Sequence, residues 1–184
     1  MNRAIILHGT DGKPESNWFI WLKEKFEAEG YEVWVPQLPD CHVPSWQKYN
    51  DFLLSGKFDF TDSIVIGHSS GAVEVLNLLS DGRCPHIRFG LLVSGWESGP
   101  AIGMDASQFS ELFPPSGYDY SLIKTKAHAL SMIHGSNDPY VPLQWAQNLA
   151  QKLDVKLTVV PNGHHLGAAY SVLPEIWQII EPHV

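Results

Sequence analysis

Three short stretches of this 184-residue chain hold the residue types of a nucleophile, a base and an acid. The first is Gly67-His68-Ser69-Ser70-Gly71. A serine hydroxyl is a poor nucleophile near neutral pH and needs an adjacent base. The second stretch, Pro161-Asn162-Gly163-His164-His165, offers two adjacent imidazoles as that base. The third, His134-Gly135-Ser136-Asn137-Asp138-Pro139, offers the Asp138 carboxylate to orient the imidazole and stabilise its cation. Asp138 sits in good turn chemistry as well, and the two roles are compatible.

The reading places Ser69 as nucleophile, Asp138 as acid and His164 as base. His164 is preferred because it directly follows Gly163, which frees the loop to aim the ring; His165 is the second choice. Activity is then expected to fall as pH drops through the histidine pKa. The oxyanion of a tetrahedral intermediate needs two amide donors. One is the Ser70 amide. The other comes from His8-Gly9-Thr10-Asp11-Gly12, with Thr10 the first choice and Asp11 the second. His8 and His68 each neighbour a glycine at a strand end, where they could line or shape a pocket. Trp96 opens a long irregular stretch, where it could form an aromatic wall or simply pack.

These residues need a scaffold, and the apolar pattern supplies one. Strands are expected at 4–7, 32–35, 63–66, 89–94, 129–133 and 156–160. Several are continuously apolar, as in strands covered on both faces. Helices are expected at 17–29, 45–54, 70–80, 143–153 and 174–183, with Gly30 ending the first. Strand–helix alternation implies right-handed crossovers and a mostly parallel sheet. The pentapeptide falls between the strand at 63–66 and the helix at 70–80. That is the strand–turn–helix context of a nucleophile elbow, whose glycines permit a close backbone approach. Asp138 and His164 each fall just past a strand, at the edge where open parallel sheets build their sites. The chain order of serine, acid, histidine is that of α/β-hydrolases. The expected fold is therefore a three-layer α/β-hydrolase domain over residues 1–184, with a mostly parallel sheet of about six strands. Residues 96–126 hold Gly99, Pro100, Gly103, Pro114, Pro115 and Gly117 and are expected as a loop or short-helix excursion.

Bulk properties narrow the partners. A formal charge of −8 argues against nucleic acid and against anionic lipid. The run 4–7 is shorter than the roughly 7–15 residues of a signal-peptide core, and no window approaches the roughly 18 apolar residues of a membrane helix. Cys41 and Cys84 form no CxxC motif and suit a reducing compartment, though one bridge between them stays open. His42, His86, His128 and His183 lack metal-ligand spacing, and no HExxH pattern exists. The expectation is a cytoplasmic protein with no cofactor and no metal.

The motifs taken together resemble the YdeN-like family of small serine hydrolases. The resemblance rests on Ile-Ile-Leu-His-Gly at 5–9, Asn-Trp-Phe-Ile-Trp-Leu at 17–22, the Gly-His-Ser-Ser-Gly elbow, Leu-Leu-Val-Ser-Gly at 91–95, Asn-Asp-Pro-Tyr-Val-Pro at 137–142 and Gly-His at 163–164. It implies a compact α/β-hydrolase domain with no large lid and maps the triad onto Ser69, Asp138 and His164. The family's histidine also follows glycine, but an aromatic commonly comes next, where this chain has His165. The L-x-C-x-E sequence associated with retinoblastoma-protein contact in a mammalian member is absent here. Cys41 precedes His42-Val43, and Cys84 precedes Pro85-His86.

The expected function is hydrolysis of a small ester, thioester or amide through a Ser69 acyl-enzyme, on a small-molecule acyl substrate. A non-catalytic interaction domain on the same fold is the alternative from another class. Acyl transfer or a cofactor-free lyase reaction would use the same triad, and fold alone does not separate them.

Overall fold

A computed structural model describes all residues 1–184. Six strands form one sheet in the order β2-β1-β3-β4-β5-β6, every pair parallel. They are β1 (Arg3–Leu7), β2 (Glu32–Trp34), β3 (Ile64–His68), β4 (Ile87–Val93), β5 (Ala127–Gly135) and β6 (Lys156–Val160). The helices are α1 (Phe19–Ala28), α2 (Trp46–Leu53), α3 (Ser70–Ser80), α4 (Tyr120–Lys126), α5 (Leu143–Leu153) and α6 (Pro174–Ile180), with 3-10 turns at Ala106–Phe109 and Glu181–His183.

The continuous apolar runs are explained by helices on both faces. Side chains alternate across a strand, so Ile5, Leu7, Val65, Leu92 and Met132 join one core with residues of α2, α3 and α5. Ala4, Ile6, Ile64, Ile66, Leu91, Val93 and Ile133 join a second core with Phe19, Leu22 and Phe26 of α1 and Ile176 and Ile180 of α6. A third, smaller cluster gathers Val73, Trp96, Ala101, Phe109, Leu112 and Val141 beneath the 96–126 excursion.

The expected elements are all present, with ends displaced by up to three residues. The sheet is wholly rather than mostly parallel. Helix α4 was not anticipated. It buries only Ile123, so no apolar face marks it at helical spacing. Its start is set instead by Asp119, whose carboxylate accepts from the amides of Ser121 and Leu122 at 3.0 and 3.1 Å. Gly30 follows α1 with φ of +79°, a conformation that suits glycine. Cys41 and Cys84 are free thiols, which closes the question of a bridge between them. No helix is long and apolar enough to cross a membrane.

Sheet order creates the site. From β1 the chain steps outward to β2, then returns to the other side of β1 as β3. The carboxyl ends of β1 and β3 are thus neighbours whose connections leave in opposite directions. Such a switch point opens a crevice.

Candidate active site

The turn after β3 carries Ser69 at φ +59° and ψ −125°, a sparsely populated conformation for a side-chain-bearing residue. Its neighbours hold it there. A Cβ on Gly67 would lie 2.6 Å from the Ala72 nitrogen, and one on Gly71 would lie 2.6 Å from the His8 carbonyl oxygen. Only glycine lets α3 leave this close to β1 and β3. The Ser69 amide donates to the Val93 carbonyl at 2.9 Å, and the hydroxyl is left facing the crevice.

His165 receives that hydroxyl. Ser69 Oγ donates to His165 Nε2 at 2.9 Å, and His165 Nδ1 donates to Asp138 Oδ2 at 2.7 Å. The Asp138 carboxylate is buried, and its second oxygen accepts from the Tyr140 and Val141 amides at 2.9 and 3.0 Å. Burial by itself would raise its pKa. The His165 hydrogen bond and charge, with the two amides, hold it below the usual carboxylate range.

This geometry corrects the preference for His164. The His164 side chain makes no hydrogen bond with Ser69. Its amide donates to Asn137 Oδ1 at 2.8 Å, its Nδ1 lies 3.4 Å from Asn137 Nδ2, and its backbone has φ of +50°. Gly163 does not serve as a free hinge. Positive φ values fall instead on Asn162, His164 and Leu166. A Cβ on Gly163 would meet Leu166 Cδ2 at 2.8 Å and Val160 Cβ at 2.9 Å, so that glycine is needed for close packing.

Main-chain anchors fix the histidine loop. The His165 carbonyl accepts from His68 Nε2 at 2.9 Å and from Ser94 Oγ at 3.0 Å. Trp18 Nε1 donates to the Leu166 carbonyl at 2.8 Å. Ser94 and Trp18 were missed as site residues. The Trp18 in the 17–22 motif and the Ser94-Gly95 pair after β4 were visible, but nothing local to them points at residue 165 or 166.

His68 is buried, and its pKa is pushed down to about 3, first by burial and then by the charge of His165. It is therefore a neutral donor across the ordinary pH range. His8 is buried behind the crevice rather than lining it. Its Nε2 accepts from the Leu38 amide at 3.0 Å and its Nδ1 donates to the Gly9 carbonyl at 2.8 Å. Burial lowers its pKa, so it braces the loop after β1 as a neutral ring. His134 is likewise buried and lowered by burial, with Nε2 on the Val141 carbonyl at 2.8 Å.

The two expected oxyanion donors lie side by side. Ser70 begins α3, where first-turn amides lack intrahelical partners and the helix end is positive. Thr10 Oγ1 and Ser70 Oγ are 2.9 Å apart, which ties the two residues together. The Thr10 amide makes no backbone hydrogen bond, whereas the Asp11 amide is engaged by the Cys41 carbonyl at 3.1 Å. That favours Thr10 over Asp11 as the second donor.

The crevice is a cleft of about 530 Å³ whose lining includes Thr10, Ser69 and His165. Phe19, Trp96, Met104, Phe109 and Tyr140 contribute its apolar walls. Trp96 both lines the cleft and packs in the third cluster, with Nε1 donating to the Gly99 carbonyl at 2.8 Å. No group of three His, Cys, Asp or Glu side chains is gathered to hold a metal ion.

A model of the family described as serine hydrolase matches residues 4–181. The chain belongs to the serine hydrolase family. YdeN of Bacillus subtilis (strain 168) is 24% identical over 182 residues, 97% of this chain and 94% of YdeN. The crystal structure of YdeN superposes with a TM-score of 0.89, covering 100% of this chain and 98% of that one at 21% identity. The serine hydrolase RBBP9 of Rattus norvegicus is 23% identical over 158 residues, 84% of this chain and 82% of RBBP9. Est1E of Butyrivibrio proteoclasticus, solved with ferulic acid bound, matches with a TM-score of 0.70, 16% identity and coverage of 99% and 87%. The fold is that of the α/β-hydrolases, and the enzyme is a YdeN-like serine hydrolase.

Proposed function

We propose that this enzyme cleaves small esters, thioesters or amides through an acyl-enzyme on Ser69, with His165 as general base and acid and Asp138 as its orienting carboxylate. The observation that carries this reading is the continuous chain Ser69 Oγ to His165 Nε2 to Asp138 Oδ2, at 2.9 and 2.7 Å. Ser69 Oγ attacks the substrate carbonyl carbon while its proton passes to His165 Nε2. The carbonyl oxygen becomes an oxyanion held by the Ser70 and Thr10 amides. Collapse breaks the bond to the leaving group, which takes the proton back from His165. A water molecule then attacks the acyl carbonyl, gives its proton to His165 and releases the acid as Ser69 regains its proton.

The cleft supports a small, uncharged acyl group. No lysine or arginine lines it, and its walls are largely apolar or aromatic. The ferulic acid bound to Est1E supports including aryl acyl groups alongside short alkyl ones. Two measurements test the reading. A fluorophosphonate probe should label folded wild-type protein and not Ser69→Ala. A panel of 4-nitrophenyl esters of increasing acyl length should be hydrolysed with a preference for short chains. Folded wild-type protein that neither labels nor turns over any ester would overturn the reading.

A further inference from the structure

The excursion at residues 96–126 forms one wall of the cleft, yet none of the hydrolytic steps uses it. Trp96, Ala101, Met104 and Phe109 line the cleft from this segment. It is tied to the rest of the protein at separate points, among them Gln108 Nε2 on the His42 carbonyl at 3.3 Å and Lys126 Nζ on the Cys84 carbonyl at 2.8 Å. Lys152 Nζ binds the Glu97 carboxylate at 2.7 Å, and Tyr120, from within the segment, donates to the same carboxylate. The Ile102 amide donates to the Tyr140 carbonyl at 2.8 Å, and the Trp46 amide donates to the Glu111 carbonyl at 2.8 Å.

Asn77 of α3 holds the segment in two places. Its Nδ2 donates to the Leu112 carbonyl at 3.0 Å, and its Oδ1 accepts from Tyr118 Oη at 2.7 Å. These two points flank the turn closed by the Gly117 amide on the Pro114 carbonyl at 2.9 Å. The second Nδ2 bond goes to Glu74 Oε2 at 3.0 Å. Asn77 and Glu74 are both fully buried in α3. The Asn77 side chain thus has both amide protons and its carbonyl engaged, and it cannot rotate without losing bonds in the interior. The Leu112 amide in turn donates to the Phe109 carbonyl at 3.2 Å, and Phe109 and Leu112 pack with Trp96 and Val73. Fixing residue 112 therefore fixes the turn that presents Phe109 to the cleft.

We propose that Asn77 is a specificity-positioning residue: by stapling residues 112 and 118 to α3 it sets the depth of the acyl pocket behind Ser69. The proposal rests on the hydrolytic reading of that cleft. Asn77 touches neither Ser69 nor His165, so it acts on the acyl group through the wall alone. Its removal should change how acyl groups of different size are ranked and leave the bond-breaking step for the smallest ones intact. Pocket contacts of a methylene or two discriminate by about 10–200-fold, which sets the scale.

The test compares wild type with Asn77→Asp, which keeps shape but loses both donors, and with Tyr118→Phe, which removes a single tie with little risk to folding. Steady-state constants are taken for 4-nitrophenyl acetate and 4-nitrophenyl hexanoate. For acetate kcat should stay within about twofold, while the hexanoate-to-acetate ratio of kcat/KM should shift by about tenfold or more, mainly through KM. Tyr118→Phe should shift it in the same direction by less. An equal loss on both esters, or an unchanged ratio, overturns the proposal. Amide hydrogen exchange gives a readout independent of turnover. Protection should fall in residues 104–118 of Asn77→Asp and persist in β3 and α3. Unchanged exchange at 104–118 overturns the staple even if no ester is hydrolysed, whereas loss of Ser69 labelling would overturn only the hydrolytic reading.

Discussion

His68, the residue before the proposed nucleophile, donates from Nε2 to the main-chain carbonyl of His165, the residue that faces that nucleophile, at 2.9 Å. The elbow and the histidine loop are therefore joined through backbone as well as through Ser69 Oγ. A neutral, buried ring suits this task because it carries one fixed proton to donate. Replacing His68 by Ala should lower kcat by roughly 10–100-fold through misplacement of the base, with KM little changed. His68→Gln, which can still donate an N–H, should recover part of the loss. Equal loss in both variants, or a change confined to KM, would show that His68 does not position His165.

Adjacent histidines with divergent side chains allow a sharp comparison. His165→Ala should reduce kcat on the order of 10⁶-fold, as removal of a triad histidine does elsewhere. His164→Ala should stay within about twofold, the scale of a substitution at the surface. Paired kinetics on one activated ester decide the matter, and the reverse ranking would assign the base to His164.

Close approach at the elbow gives a stability prediction. A methyl group on Gly71 has nowhere to go, since the carbonyls of β1 sit against that face. Gly71→Ala should destabilise the protein by about 3 kcal/mol or more, because backbone rather than a side-chain tip must move. Gly82 has open space around its Cα, so Gly82→Ala serves as the control. Urea midpoints that fall equally for the two variants would contradict this account of the elbow.

Glu74 makes stability depend on pH. Complete burial pushes its pKa well above the ordinary 4.5, and one of its oxygens has no partner. The folded state keeps the proton that the unfolded chain releases above about pH 4.5. Native protein therefore binds more protons, and stability falls as pH rises through that window. Relative to Glu74→Gln, wild type should lose up to about 1.4 kcal/mol per pH unit until the buried group ionises. Denaturant midpoints measured from pH 4 to pH 8 check this. Parallel curves for the two proteins would mean that Glu74 is charged in the native state.

Much of the architecture is legible in the sequence. Strands β3 and β6 and helices α3 and α5 were legible because their apolar runs are long and bounded by glycine, proline or polar turns. Ser69 was legible because an elbow needs two glycines in fixed register between a strand and a helix. Helix α4 was not, since its seven residues pack few apolar side chains. The anchors on the histidine loop were hidden for a different reason. Trp18 is separated from Leu166 by 148 positions and Ser94 from His165 by 71. Asn77 reads as a polar interruption in a helix, and only the folded excursion provides its partners at Leu112 and Tyr118.

The sequence by itself determined the fold class, the serine in its elbow pentapeptide, and the short loops after β5 and β6 that carry Asp138 and the His164-His165 pair. These follow from local pattern: strand–helix alternation, glycine sterics and chain order. Which of His164 and His165 faces Ser69 was decided only in three dimensions. Successive side chains on a tight loop point apart, and their directions follow from backbone dihedrals that no local rule fixed here. Asn137 on one side, and His68, Ser94 and Trp18 on the other, hold the loop so that residue 165 turns inward.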